Sequence, residues 1–156
     1  MRIGKRLALD VGKARIGVAV CDRDGILASP LDAVARMESL SDTVATLMTL
    51  IHEHEVFEIY VGEPLSLSGQ DTASTHDSRL VATEIAAVTS VPVRLVDERF
   101  TTSVAASKLR SAGHNARSSK SIIDSASAVE ILESALSFEK TSGVAPGELV
   151  GDSVGA

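Results

Sequence analysis

The chain has no tryptophan, one tyrosine, three phenylalanines and a single cysteine among its 156 residues. With aromatics at 3% and hydrophobic residues at 44%, its core has to be built from aliphatic side chains and alanine. A lone cysteine, Cys21, excludes an intrachain disulfide and fits a reducing cytoplasm. No histidine can be assigned to it as a catalytic partner, so it reads as a packed residue. No apolar run approaches the ~20 residues of a membrane span. The basic start, Met1 to Arg6, lacks the apolar stretch of a signal peptide. A soluble, cytoplasmic protein of one domain is expected, long enough to bury roughly 68–70% of its unfolded surface.

Negative charge dominates, with a net charge of −6. That average argues against a nucleic-acid partner, but the distribution does not. Between Arg99 and Lys120 there is no acidic residue, while Arg99, Lys108, Arg110, Arg117 and Lys120 are basic and His114 joins them. A second cluster holds Lys5, Arg6, Lys13 and Arg15. Such segments in an acidic protein grip a phosphate backbone locally or form a solvated basic helix face.

Hydrophobic spacing divides the chain. Arg6 to Asp10, Arg15 to Cys21 and Ile26 to Val34 read as three antiparallel strands, with Asp22-Arg23-Asp24-Gly25 as a hairpin turn and Pro30 suiting an edge. A helix follows from a Ser41 cap through Val44, Leu47, Met48 and Ile51. Then come a strand at Glu58 to Gly62, a Ser/Gly loop from Leu65 to Asp71, a helix from Ser78 to Val88 and a strand at Val93 to Asp97. Thr101 or Thr102 caps a further helix that ends at Gly113. An apolar helix runs from Ile122 to Phe138. Residues 1–140 thus form the expected domain, and 141–156, rich in Gly and Ser, are expected to be a disordered tail. The order is that of an α/β protein: a mixed five-stranded sheet, three antiparallel strands then two parallel, with helices on both faces.

Three acids follow apolar stretches: Asp10 after Leu7-Ala8-Leu9, Glu98 after Val96-Asp97, and Asp124 after Ile122-Ile123. Asp10 and Glu98 fall at the carboxyl ends of strands, where sites sit in open α/β sheets. Carboxylates suit hard divalent ions such as Mg²⁺, which keep part of their water shell. Two such ions roughly 3.5–4 Å apart can activate water and neutralise the leaving oxygen in phosphodiester hydrolysis.

The segments Leu9-Asp10-Val11-Gly12, Arg15-Ile16-Gly17-Val18-Ala19, Val61-Gly62-Glu63-Pro64-Leu65, Asp97-Glu98-Arg99-Phe100-Thr101-Thr102 and Ile123-Asp124-Ser125-Ala126 resemble the YqgF family of ribonuclease H-like proteins. Its members are described as pre-16S rRNA nucleases and, earlier, as Holliday junction resolvases. The resemblance implies a ribonuclease H-like fold and a Mg²⁺- or Mn²⁺-dependent nuclease with Asp10, Glu98 and Asp124 as catalytic metal ligands. The implied partner is structured RNA, within 16S rRNA 5′-end maturation and a pre-ribosomal particle. A four-way DNA junction is the alternative, and a non-catalytic rRNA-binding assembly factor is the reading from another class. Glu63 and Ser127 depart from the family pattern, which usually has an apolar residue and an alanine there. Lys13, Arg15, Arg99, Thr101 and Lys120 are the candidate nucleic-acid contacts, since cationic side chains and hydroxyls near the acids can hold phosphate. No long apolar stripe advertises a dimer, so a monomer or weak homodimer is expected.

Each residue also has a structural reading. Asp10 can cap the turn before Gly12, Glu98 can pair with an arginine, and Arg99 can pair with Asp97 or Glu98. Asp124 completes a capping box with Ser121. Thr101 and Thr102 are helix caps first. His52 and His54 cannot share a metal at their spacing on a helix. Gly12 to Ala19 lacks the ending of a phosphate-binding P-loop. An actin-like ATPase shares Asp-Val-Gly but needs two such domains, which this chain cannot supply.

Overall fold

The computed structural model describes residues 1–100 and 123–151. β1 (Arg6–Val11) lies antiparallel to β2 (Arg15–Cys21), which lies antiparallel to β3 (Ala28–Ala35). α1 (Leu40–His54) leads to β4 (Glu58–Glu63), parallel to β1, and α2 (Ala73–Val88) leads to β5 (Val93–Asp97), parallel to β4. A 3-10 turn, Glu98–Phe100, follows β5, and α3 (Ala126–Ser142) precedes a two-residue β6, Glu148–Leu149. The sheet order is β3-β2-β1-β4-β5-β6.

The sequence expectation of three antiparallel strands, then two parallel, holds, and β6 adds a sixth. β6 pairs antiparallel with β5, where the sequence reading expects a disordered tail from residue 141. Thr141 and Ser142 complete the last turn of α3, and Gly143, in the left-handed region at φ 76°, ends it by donating to the Glu139 carbonyl. Two residues of backbone pairing leave no hydrophobic alternation to read. The expected helix after Thr101 lies outside the described residues.

Element starts shift where side chains satisfy backbone groups. α1 starts from Ser39, whose hydroxyl accepts the Asp42 N–H, two residues before the expected cap. α2 begins five residues before the expected Ser78, because Thr72 and Thr75 form a reciprocal capping box. Its first turn is polar and shows no apolar period. β3 starts at Ala28 because the Asp22 carboxylate accepts the N–H groups of Asp24, Ile26 and Leu27 and holds that stretch as a loop. α3 starts at Ala126, four residues after the expected Ile122.

Strand alternation sends side chains to two cores. Leu7, Leu9, Ile16, Val18, Ile59 and Val61 face α1 and α2, meeting Leu47, Ile51, Val81 and Ile85. Ala8, Ala19, Tyr60 and Val96 face α3, meeting Ala128, Ile131, Leu132 and Ala135. Helices therefore cover both faces, and the central strands β1 and β4 are buried on each.

At the amino end of β1, the α3 face carries a closed network of charges. Arg6, Glu58 and Glu139 are all buried. Arg6 donates to Glu139 at 3.0 Å and to the Tyr60 hydroxyl at 3.1 Å, and Tyr60 donates to Glu58 at 2.9 Å. Arg2 bridges Glu58 and Glu139 at 2.6 and 2.7 Å, Arg94 donates to Glu58 at 3.0 Å, and Phe57 lies under both Arg2 and Arg6. Burial raises the Glu139 carboxyl, but hydrogen bonds from Arg2 and the charge of Arg6 outweigh it and hold it at about 2. Because the folded value lies below the ordinary 4.5, this carboxylate stabilises the fold at neutral pH, and that contribution is lost as pH falls from about 4.5 to about 2.

Glu139→Ala strands the buried Arg6 without its carboxylate. We expect it to cost about 3–5 kcal/mol, measured as a lower denaturant midpoint at pH 7 with the difference from wild type shrinking toward pH 2.

Candidate active site

Asp10 sits one residue from the end of β1, on the face covered by α3, as the alternation from Ala8 requires. Its partner on β2 is Gly17. A Cβ on Gly17 would collide with the Asp124 carbonyl oxygen and lie 3.1 Å from the Ser125 Cα. The missing side chain is what lets the start of α3 rest on the sheet and bring Asp124 beside Asp10. Ser125, fully buried, fixes the seat: its hydroxyl accepts the Val18 N–H at 3.0 Å and donates to the Leu31 carbonyl at 2.6 Å, where the β2–β3 register slips. Asp10 and Asp124 line one small cleft of about 230 Å³ with Gly12, Ala14 and Arg15.

Glu98 arrives from the other side. β5 ends at Asp97, and the 3-10 turn sends the two neighbouring acids apart. Asp97 accepts from the Arg99 guanidinium at 2.6 Å and from its backbone N–H at 2.9 Å. Glu98 instead lies over Gly62 of β4, where a Cβ would be 2.8 Å from its carboxyl carbon. Gly62 follows Val61, the β4 neighbour of Leu9, so the strand that carries Asp10 runs alongside. Burial, then the charges of Asp10 and Asp97, push the Glu98 carboxyl up to about 7. Burial alone raises Asp10. The Arg99 side chain holds Asp97 below the usual carboxylate range.

Asp10, at the carboxyl end of β1, thus shares a cleft with Asp124 at the start of α3 and lies within electrostatic reach of Glu98 at the end of β5. Asp124 gives its carboxylate to Arg15 at 3.0 Å on the exposed rim. Among the described residues, no three His, Cys, Asp or Glu side chains form a ready-made metal cage. Lys13 is exposed in the β1–β2 turn, which is closed by the Gly12 N–H donating to the Arg15 carbonyl. Arg99 takes the ion-pair reading with Asp97. Thr101, Lys120 and the Ser121 capping box lie outside the described residues. Glu63, the departure from the family pattern, is held by Arg79 at 2.7 Å, and Arg79 also binds Asp71 at 2.6 Å. Ser127 is exposed. Sequence reasoning missed Gly17, Gly62 and Ser125 as makers of the site. A glycine inside each of two strand patterns was the available signal for close approach.

An α/β sheet in β3-β2-β1-β4-β5 order with acids at these strand ends defines a ribonuclease H-like protein. The solved structure of T. thermophilus RuvC in complex with Holliday junction substrate shares this fold, with a TM-score of 0.53 at 17% identity over 94% of this chain and 99% of that one. The RuvX family, described as Holliday junction resolvase, matches residues 4–138, and the chain belongs to it. A protein of Clavibacter michiganensis subsp. michiganensis named "Putative pre-16S rRNA nuclease" is 46% identical over 150 residues, covering 96% of this chain and 93% of its own. One of the same name from Streptomyces avermitilis is 47% identical over 149 residues, covering 95% of each. The family of the sequence resemblance is therefore confirmed.

Gly17→Ala should cost about 1–3 kcal/mol through overpacking, read by thermal melting, because backbone rather than a flexible side chain must give way. Glu98, raised above its ordinary 4.5 to about 7, favours the folded state most below pH 4.5, and that advantage is lost as pH rises through about 7. In EDTA, Glu98→Gln should therefore gain Tm relative to wild type as pH is raised from 5 to 8; a difference independent of pH would contradict it.

Proposed function

We propose that the chain is a divalent-metal-dependent nuclease that hydrolyses phosphodiester bonds in 16S rRNA 5′-end maturation, with pre-ribosomal RNA as its partner. The observation that carries this reading is the placing of Asp10, Glu98 and Asp124 at one end of the sheet, with glycines clearing the space between them. Membership of a nuclease family supports the activity, and the names of its relatives support the substrate.

The donor set fits Mg²⁺ or Mn²⁺. Asp10 and Glu98 offer hard oxygens; burial raises both carboxyls, and the charges of Asp10 and Asp97 raise Glu98 further, which a cation would offset. Asp10 and Glu98 would hold the ion, and Asp124 would complete the set on leaving Arg15. When bound, divalent ions supply water activation and charge neutralisation at the leaving oxygen. The chain's own residues do the rest. Arg15 and Lys13 sit on the exposed rim to take the phosphate backbone. Arg99, held by Asp97, and Thr101 and Lys120 are the further candidates for phosphate contacts. Among the described residues no helix is long and apolar enough to cross a membrane.

The test gives wild type and Asp10→Asn both precursor 16S 5′-end RNA and a DNA four-way junction, with Mg²⁺, Mn²⁺ or EDTA. We expect metal-dependent cutting of the RNA by wild type, lost in Asp10→Asn. Cutting of the junction alone would instead support the resolvase that the family's description names. RNA bound but uncut would support an assembly factor. Arg15→Ala should weaken RNA binding and lower the salt slope by about 1.

A further inference from the structure

The β1–β2 turn carries Lys13 and Arg15, yet its backbone is gripped from outside the hairpin. Arg36, just past β3, donates its backbone N–H to the Ala14 carbonyl at 2.8 Å. Its guanidinium donates to the Gly12 carbonyl at 3.1 Å. One residue thus satisfies the acceptors on both sides of Lys13. The guanidinium is itself fixed by Asp77 of α2 through two hydrogen bonds, 2.9 and 3.2 Å, and is only 20% exposed. With the Gly12 N–H closing on the Arg15 carbonyl, four of the turn's backbone polar groups have defined partners.

We propose that Arg36 is a positioning residue for substrate, with Asp77 as its anchor: it presets the turn so that Lys13 and Arg15 meet the phosphate backbone without first being ordered. The proposal rests on the nuclease reading and deepens it. A preset turn loses less conformational entropy on binding than a loose one. Asp10 is paired with Gly17 on β2, and the preceding Leu9 is paired on both sides, with Val18 and Val61, so loosening the turn leaves the acid in place. The signature is a rise in KM with kcat largely retained.

The experiment compares wild type, Arg36→Ala, Arg36→Lys and Asp77→Asn at equal folded fraction. It reads steady-state cleavage of precursor 16S RNA, filter retention of that RNA in EDTA, and amide hydrogen exchange of the Gly12–Ile16 segment against that of α1. We expect Arg36→Ala to raise KM about tenfold or more, weaken retention to match, and speed exchange in the turn alone. Arg36→Lys recovers part of each effect, and Asp77→Asn, which keeps the arginine, gives a smaller change in the same direction. Unchanged KM and exchange in folded Arg36→Ala would overturn the proposal, as would a fall in kcat alone. If wild type binds RNA without cutting it, the nuclease reading fails, while retention and exchange still decide the role of Arg36. If wild type neither cuts nor binds RNA, the proposal fails with it.

Discussion

The close approach of α3 to the sheet is the constraint on which the site depends. A helix normally rests on a sheet at the distance its side chains dictate. Here the sheet offers Ala8, Ala19 and two glycines, and the helix answers with Ala126, Ala128 and Ala135. At Gly17 the contact is backbone on backbone, and Ser125 converts it into a hydrogen-bonded joint with β2 and β3. Asp124 has no other means of reaching Asp10, since it belongs to a different layer.

That single face also separates two uses of charge. At the amino end of β1 the buried groups are opposite in sign, and each has its partners, so burial is offset. At the carboxyl end the groups are alike in sign, and burial raises both Asp10 and Glu98. The first arrangement stabilises the folded chain. The second costs stability, and carboxyls so perturbed in a cleft mark a candidate functional site. Arg6, Ala8 and Asp10 alternate along one strand, so five residues of β1 span both arrangements.

Much of the sheet was legible from the sequence because β1, β2, β4 and β5 carry continuous apolar or β-branched runs bounded by turn residues. Their pairing followed from the change to helical spacing from the expected Ser41 cap onward. What was not legible had a different physical origin. The start of α2 depends on Thr72 and Thr75 bonding to the backbone, and β6 on two backbone pairs, neither of which leaves a hydrophobic period. The three acids were readable because each ends an apolar stretch. The glycines that make room for them and the arginines that hold the neighbouring turn gain their meaning only from residues distant in sequence. Arg99 had two readings of equal standing, and the 3-10 turn after β5 favours its local partner Asp97.

The network around Arg6 also bears on how the chain reaches its fold. Arg6 and Glu139 are 133 residues apart in sequence, and Arg2 and Glu139 137 apart. A guanidinium placed in the first strand therefore waits for the last helix before it loses its need for water. Such long-range closure slows folding, since loop entropy is lost before the contact forms. While the chain is being synthesised, β1 can pair with β2 but cannot bury its α3 face until that helix emerges, so the amino-terminal meander remains hydrated on one side until synthesis has passed Glu139.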